Sequence, residues 1–397
     1  MKRTVIVLGL LTTLLCADDL SLLNKEKQEL REVEKKMLEQ EHEASKNSWI
    51  SPVKMSGSIT RNHSFSEESN SLRKTVSIGF SQSVFESGGI GFTIDYANDK
   101  FKSDLLAWEN ENKQILLSLY NTLLEINKLN IELKQNRVEL ENAEIELTLK
   151  RIQYENGNSD ITELNDAIMA KNNQRQQNVN LQNSLKQQKI ELSKYTTLQF
   201  EEIQLLNFSA IDEKAYLNNH IDLFYEDALI QLAQTAYNQQ KTDYLPKLSF
   251  SASASYTHNE EMVNERKEDS TDGSLGLTLS MPLYDINKKP TLEKARLEIL
   301  KQKVTRMDLK NELLQEFEAA LNKINTYREY NQILKENIAL YGDLIEVNQA
   351  SNAVGMSSDF DLEILKNTQV INEYGIEINR INMQQEYAKL YFKVKAD

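Results

Sequence analysis

Proline is the residue that regular structure tolerates least, and this chain confines it to a few places. The four prolines are Pro52, Pro246, Pro282 and Pro290; none lies between 53 and 245 or after 290. A proline inside a helix removes a hydrogen bond and clashes with the preceding turn. Long stretches without proline and poor in glycine can therefore run as long helices. The prolines lie at or beside short stretches of a different kind, so the sequence predicts a mainly α chain with a small antiparallel β part.

Those four stretches are "VKMSGSIT" (53–60), "KTVSIGFSQSVF" (74–85), "KLSFSASASYTH" (247–258) and "GSLGLTLSMPLY" (273–284). In the third, Leu248, Phe250, Ala252, Ala254 and Tyr256 alternate with Ser249, Ser251, Ser253, Ser255 and Thr257. In the fourth, Leu275, Leu277, Leu279, Met281 and Leu283 alternate with Ser274, Gly276, Thr278 and Ser280. In the second, Val76, Ile78, Phe80 and Val84 alternate with Ser77, Gly79, Ser81 and Ser83, and Gln82 is the one break. Period-two alternation marks strands with one apolar and one wet face. Polar loops, "RNHSFSEESNS" and "NEEMVNERKEDSTD", join each pair.

The long segments carry heptads. From about 92 to 156, one series runs Leu119, Ile126, Leu133, Leu140, Leu147, Tyr154 and another Leu117, Leu124, Ile131, Val138, Ile145, Ile152. An offset of two residues is about 200° around a helix, so the apolar seams lie on nearly opposite sides. A coiled coil has one seam; two seams describe a stave with a neighbour on each side. A broad-faced two-stranded or four-helix coiled coil is the alternative. About 65 helical residues would span roughly 100 Å, more than a bilayer. In the second half Phe317, Ile324, Ile338 and Ile345 form one series, interrupted by Asn331, and Leu313, Ala320, Tyr327, Leu334 and Tyr341 another.

The start of the chain reads as a secretory signal peptide over 1–17: Lys2 and Arg3, an apolar run from Val5 to Leu15, then Ala17. Cys16, the only cysteine, either leaves with the signal or is lipidated. No later window holds 18 consecutive apolar residues, so an exported chain of this kind enters a membrane only by strands. Four strands in lipid leave two edges of unpaired backbone groups, each costing several kcal/mol. Copies of the chain must close them: two give eight strands with a filled interior, three give twelve with a passage. Ser249, Ser251, Ser253, Ser255, Ser274, Thr278 and Ser280 would then face the lumen while Leu, Phe and Ala meet lipid. A soluble sheet packed on a core is the other reading.

The strand pairs recur about 198 residues apart, and "YENGNSDITEL" (154–164) matches "NAVGMSSDFDL" (352–362). The chain is thus read as a duplication, 18–205 and 206–397, each repeat a short helix, two strands and long helices. A net charge of −14 argues against nucleic acid as a partner. The histidines His42, His63, His220 and His258 show no metal-ligand spacing, and "ESGGIGF" (86–92) fits a strand-to-helix turn better than a phosphate loop. No catalytic signature appears, so no enzyme and no cofactor is expected.

Taken in order, "YLPKLSFSASASY", "LTLSMPLYD", "FSQSVFESGG", "YENGNSDITELNDA" and "NAVGMSSDFDLEIL" resemble the TolC-like outer-membrane efflux proteins across the mature chain. The resemblance implies a homotrimer in outer-membrane lipid, with a twelve-stranded transmembrane barrel and a periplasmic tunnel of helical staves. It implies docking of the tips on a periplasmic adaptor (membrane-fusion) protein linked to a proton- or ATP-driven inner-membrane pump. The tip residues would be Gly157, Asn158, Ser159 and Asp160 in one repeat and Gly355, Met356, Ser357 and Ser358 in the other. Acidic residues past the tip line the entrance in that family. Asp361 fits that position and Glu163 and Asp166 occupy the equivalent spacings, whereas Ile364 departs from it. The function so implied is a passive exit duct of a tripartite efflux system, exporting small molecules. A type I protein secretion duct has the same architecture, and a periplasmic coiled-coil scaffold without a pore is the rival of another class.

Overall fold

The computed structural model describes residues 20–64, 69–261, 266–353 and 356–395. The expected signal peptide with Cys16, and the tip residue Gly355, lie outside the described residues. The elements are α1 (Lys25–Lys46), β1 (Lys54–Ser64), β2 (Ser69–Phe85), α2 (Gly89–Glu155), α3 (Ile161–Ser193), α4 (Glu213–Asn218), α5 (Ile221–Thr242), β3 (Lys247–Glu261), β4 (Arg266–Ser280), α6 (Lys288–Ala353) and α7 (Asp359–Tyr391). This is the mainly helical duplicated unit with a small antiparallel sheet that the sequence predicts. The repeat is close: α2 and α6 end at 155 and 353, α3 and α7 begin at 161 and 359 and end at 193 and 391, each pair 198 apart. Among the described residues no helix is long and apolar enough to cross a membrane.

Two compact units form, each drawing on both repeats: Val33–Trp108 with Leu223–Leu309, and the remainder. In the first, the sheet order is β1-β2-β3-β4, all antiparallel. The strands extend into the expected loops, taking in 61–64, 69–73, 259–261 and 266–272. β4 stops at Ser280 rather than 284, because Pro282 has no N–H to give a ladder. The helices of this unit stand in the order of their strands. The side chain of Lys100 on α2 reaches Glu41 on α1 at 2.9 Å, Thr235 on α5 donates to Asp99 on α2 at 2.6 Å, and Arg306 on α6 pairs with Asp227 on α5.

In the second unit α2 has α3 on one side and α7 on the other. Asn178 on α3 donates to the buried Asn136 of α2 at 2.9 Å, and Asn367 on α7 donates to Asn142 of α2 at 2.9 Å. Two neighbours on two sides are what the paired heptads demand. The α6–α7 pair is fixed likewise, with Asn379 donating to Asn331 at 3.0 Å. That bond explains why Asn331 interrupts its apolar series: a polar pair in a seam sets helix register at a cost in stability.

The two-seam pattern fails in one place. Between Leu116 and Ile131, α2 is buried nearly all round, with Leu116, Leu119, Tyr120, Leu123, Leu124, Ile126 and Ile131 in one core with Leu22, Leu23, Ile203, Phe208, Ile381 and Phe392. Short segments at 20–23 and 200–208 wrap the helix there and cover faces that would otherwise be wet. Toward the tip the seams open, and Ile152 and Tyr154 are exposed.

The chain end is clasped into this unit. The Ile221 N–H donates to the Lys393 carbonyl at 2.9 Å, the Lys395 N–H to the Asn219 carbonyl at 2.8 Å, and Lys393 pairs with Asp222 at 3.2 Å. His220 lies fully buried in the clasp, edge-on to the Tyr216 ring. Its Nδ1 accepts from the Asp222 N–H at 3.2 Å, so the ring proton sits on Nε2. Burial lowers its pKa from 6.5 to about 4, opposed by Asp222 and assisted by Lys393. A depressed histidine is neutral in the folded state and charged sooner in the unfolded one. Its contribution is therefore full above pH 6.5 and lost as pH falls to about 4, a change of about 3 kcal/mol. Thermal unfolding at pH 7 and pH 4.5 should show less acid loss in His220→Asn than in the wild type. Equal loss in both would remove His220 as the cause.

Candidate functional site

Two surfaces carry the sequence-predicted residues, the sheet and the helix tips. On the sheet, antiparallel partners share a face, so the register lays out both faces in rows. Ser77 pairs with Ser56 and Ser255, Gly79 with Ser253, Ser81 with Ser251 and Ser83 with Ser249. Across β3 and β4, Ser249 pairs with Thr278, Ser251 with Gly276, Ser253 with Ser274, Ser255 with Asp272 and Lys247 with Ser280. All of Ser249, Ser251, Ser253, Ser255, Ser274, Thr278 and Ser280 thus fall on one face. Their hydroxyls bond along the rows: Ser253 to Ser274 at 2.8 Å, Ser56 to Ser77 at 2.8 Å, Thr75 to Thr257 at 3.2 Å.

The other face is apolar and uncovered. Its rows are Leu248–Leu279, Phe250–Leu277, Phe80–Ala252–Leu275 and Met55–Ile78–Ala254, with Val76 and Tyr256 above. Leu275 is 80% exposed and Met55 75%. A side chain this apolar and this exposed, repeated over one whole face, marks a surface that meets a non-aqueous medium. The nine residues from Leu248 to Tyr256 match a tilted membrane-crossing strand.

Two details depart from plain alternation. Gln82 sits on the apolar face because it ties the chain before β1: its Oε1 accepts from the Ser51 N–H at 2.9 Å and its Nε2 donates to the Trp49 carbonyl at 3.0 Å. Val84 does not continue the expected apolar series in register. A shift between Ser83 and Phe85 sets Phe85 opposite Leu248, leaving Val84 as the extra residue of a bulge. "ESGGIGF" forms the turn from β2 into α2, with Ser87 and Gly88 at φ +52° and +93° and the Ser87 hydroxyl donating to the Pro246 carbonyl at 2.7 Å.

At the tip, α2 ends in a Schellman motif. The Asn158 N–H reaches the Gln153 carbonyl at 2.8 Å and the Gly157 N–H the Tyr154 carbonyl at 3.0 Å, with Gly157 at φ +76°. The second repeat matches it, the Met356 N–H reaching the Ser351 carbonyl at 2.9 Å. Each returning helix is capped: Asp160 accepts from the Glu163 N–H at 2.9 Å, and Ser358 from the Asp361 N–H at 3.2 Å. Asp361 closes a capping box by accepting from the Ser358 N–H at 3.3 Å and hydroxyl at 2.8 Å. Ser357 donates to the Asn348 carbonyl at 3.1 Å, and Met356 is 84% exposed.

The three acidic candidates differ in state. Glu163 accepts from Lys150 at 2.7 Å and from the Ser159 hydroxyl at 2.8 Å, and these bonds, Lys150 foremost, hold its carboxyl below the usual range. Sequence spacing could not show that Lys150 on α2 would reach it. Asp166 is exposed, with no ion-pair partner among the described residues. Lys150, Glu163, Asp166, Leu149, Ala167 and Ile364 line an open groove of about 560 Å³. Among the described residues no group of three or more His, Cys, Asp or Glu side chains could hold a metal.

The profile of the outer membrane efflux proteins matches residues 37–197 and 214–391. The chain belongs to the outer membrane efflux protein family. The fold agrees. It superimposes on the CmeC outer membrane channel of Campylobacter jejuni with a TM-score of 0.72 at 15% identity, over 95% of this chain and 84% of that one. VceC of Vibrio cholerae gives 0.72 at 13%, over 95% and 93%. The open-state MtrE channel of Neisseria gonorrhoeae gives 0.70 at 12%, over 95% and 87%. No curated protein matches the sequence. This efflux protein is accordingly an outer-membrane exit duct, with its strands in the outer membrane and its large helical part in the periplasm.

The tip geometry makes a measurable demand. Nothing lies within 4 Å of a Cβ built on Gly157, so Gly157→Ala costs only the left-handed backbone, about 1–2 kcal/mol. Asp160→Ala and Ser358→Ala each remove a cap, at about 1 kcal/mol. Amide exchange over 150–165 should quicken in Gly157→Ala and Asp160→Ala while that of α7 stays unchanged; unaltered protection would contradict the motif.

Proposed function

We propose that the protein works as a homotrimer, passively passing small molecules outward from an inner-membrane pump through a periplasmic adaptor, without catalysis of its own. The observation that carries this reading is the two-faced sheet with both edges open. β1 and β4 each have one unpaired side, which lipid does not tolerate, and hydroxyl-bearing or glycine residues dominate the wet face. Side chains that small do not fill an eight-stranded interior, whereas twelve strands from three copies leave a water-lined passage.

The helices repeat the argument. In the unit built on α2, α3, α6 and α7, α6 lies at one end of the row with an exposed stripe of Tyr330, Ile333, Leu340, Leu344 and Val347. α3 lies at the other end, exposing Ile161, Ile168, Val179 and Ile190. Different apolar surfaces at the two ends are what a head-to-tail ring requires. The family supports adaptor and pump as partners. The turns around Gly157–Asp160 and around Gly355–Ser358 are the proposed docking points, since Met356 and Ile161 offer apolar contacts to another protein. Of the gate candidates, Asp361 and Asp166 carry the entrance charge in this reading, because Lys150 neutralises Glu163. Ser249, Ser251, Ser253, Ser255, Ser274, Thr278 and Ser280 line the lumen.

Opposite faces give opposite mutational outcomes. Leu275→Arg puts a charge at mid-depth against lipid, at about 2–4 kcal/mol per strand, and should abolish the heat-modifiable trimer in outer-membrane fractions. Ser253→Arg should assemble normally and lower single-channel conductance. The reverse pattern would invert the faces and sink the proposal. Asp361→Asn, which keeps a capping oxygen but no charge, should raise conductance at the closed entrance; an unchanged value would exclude that charge from gating. Deletion of the gene should sensitise cells to small toxic compounds, whereas loss of a secreted protein with unchanged susceptibility would favour the type I secretion duct.

A further inference from the structure

We propose that the outer rim of the apolar sheet face binds the phosphorylated headgroup of an anionic membrane lipid through Arg61 and Lys74. The inference rests on the reading above for one point, that the apolar face meets lipid. The rows of the sheet turn from apolar to charged within one step. Gly57, Val76, Tyr256 and Thr271 share a row; the next holds Ile59, Lys74, His258 and Asp269, and the one beyond holds Arg61, Leu72, Glu260 and Lys267. These last rows adjoin the hairpin loops, at the strand ends opposite those that lead to the helices. With the helices in the periplasm, they lie at the outer boundary of the membrane.

Two acids on this face of the rim are matched. Glu260 pairs with Lys267 at 3.0 Å, and Asp269 with His258 at 2.6 Å. Arg61 and Lys74 are exposed and, among the described residues, have no ion-pair or hydrogen-bond partner for their side chains, Lys74 acting on Glu260 only through space. Arg61 stands opposite Leu72, two residues from Lys74, so the two cations are diagonal neighbours on one face of β1 and β2. Diagonal partners lie roughly 7–8 Å apart, within reach of a single phosphate for two long side chains. Arginine brings a fork suited to phosphate oxygens and lysine a point charge.

Two cations side by side, neither in an ion pair among the described residues, stand out in a chain of net charge −14. Directly beneath them, Ile59, Val76 and Ile78 offer an apolar bed. A molecule with phosphate at one end and acyl chains at the other satisfies both surfaces; a free anion satisfies only the first. Arg73, on the same strand, pairs with Thr60 and Asn259 on the hydroxyl face. It is a control of equal charge on the wrong side.

Native mass spectrometry of the detergent-extracted channel, titrated with bisphosphorylated lipid A, tests this. The wild type should retain the lipid, Arg61→Ala/Lys74→Ala should bind it roughly tenfold more weakly, and Arg73→Ala should bind as the wild type does. Millimolar inorganic phosphate should not displace it. Should the double variant fail to assemble, Arg61→Gln and Lys74→Gln are measured singly, each with a smaller loss expected. Equal binding by wild type and variants, an equal loss in Arg73→Ala, or full displacement by inorganic phosphate would each overturn the site. Absence of the wild-type channel from outer-membrane extracts would instead bring down the efflux reading itself, before any lipid is added.

Discussion

An unpaired backbone amide in hydrocarbon has no substitute partner, and that single fact organises this molecule. A strand there needs a neighbour on both sides. The same two-sidedness governs the helices for a different reason: apolar seams on opposite sides of a stave each need covering from water. β2 and β3 are satisfied within the chain, as is α2; β1, β4, α3 and α6 are satisfied on one side only. Among the described residues, each layer of the chain thus ends in an edge with one open side.

The duplication sharpens this. Helix ends at 155 and 353, helix starts at 161 and 359, and matching i to i−5 bonds at Asn158 and Met356 show two copies of one tip. Yet the copies are chemically different. One return helix starts with Asp160 and a Glu163 turned aside to Lys150; the other starts with Ser358 and an Asp361 folded back into its own cap. Two equivalent backbones therefore present different charges at the tip. This suits a ring in which alternate staves have separate tasks.

Much of this was legible in the sequence because periodicity is a direct record of what each face touches. Alternation at 248–257 fixed the two faces of β3, and the paired heptads from Leu117 to Tyr154 announced neighbours on two sides of α2. The misses have physical causes. The break at Gln82 was read from the sequence, but its reason, the bonds to Trp49 and Ser51 across the start of the sheet, is encoded by no local pattern. The bulge at Val84 leaves alternation intact on paper while shifting the register by one. All-round burial of Leu116–Ile131 depends on segments far away in sequence. The stripe at Ile333, Leu340 and Val347 was there to be read, a third heptad series beside the two that were found.

The sheet and the rim make a final point about polarity. The wet face is built from hydroxyls and glycines, which hydrate without strong preference for any cargo. Charge on that face comes toward the strand ends: Lys54 and Lys247 on the side of the helices, Arg73, Asp272 and Glu268 toward the hairpins. Between those ends the rows from Ser77 to Ser83 and from Ser249 to Ser253 are neutral, and a neutral stretch neither traps a cation nor excludes an anion. An exit duct gains nothing from a sticky middle, and the serine–glycine lattice of β2, β3 and β4 stays wet without binding.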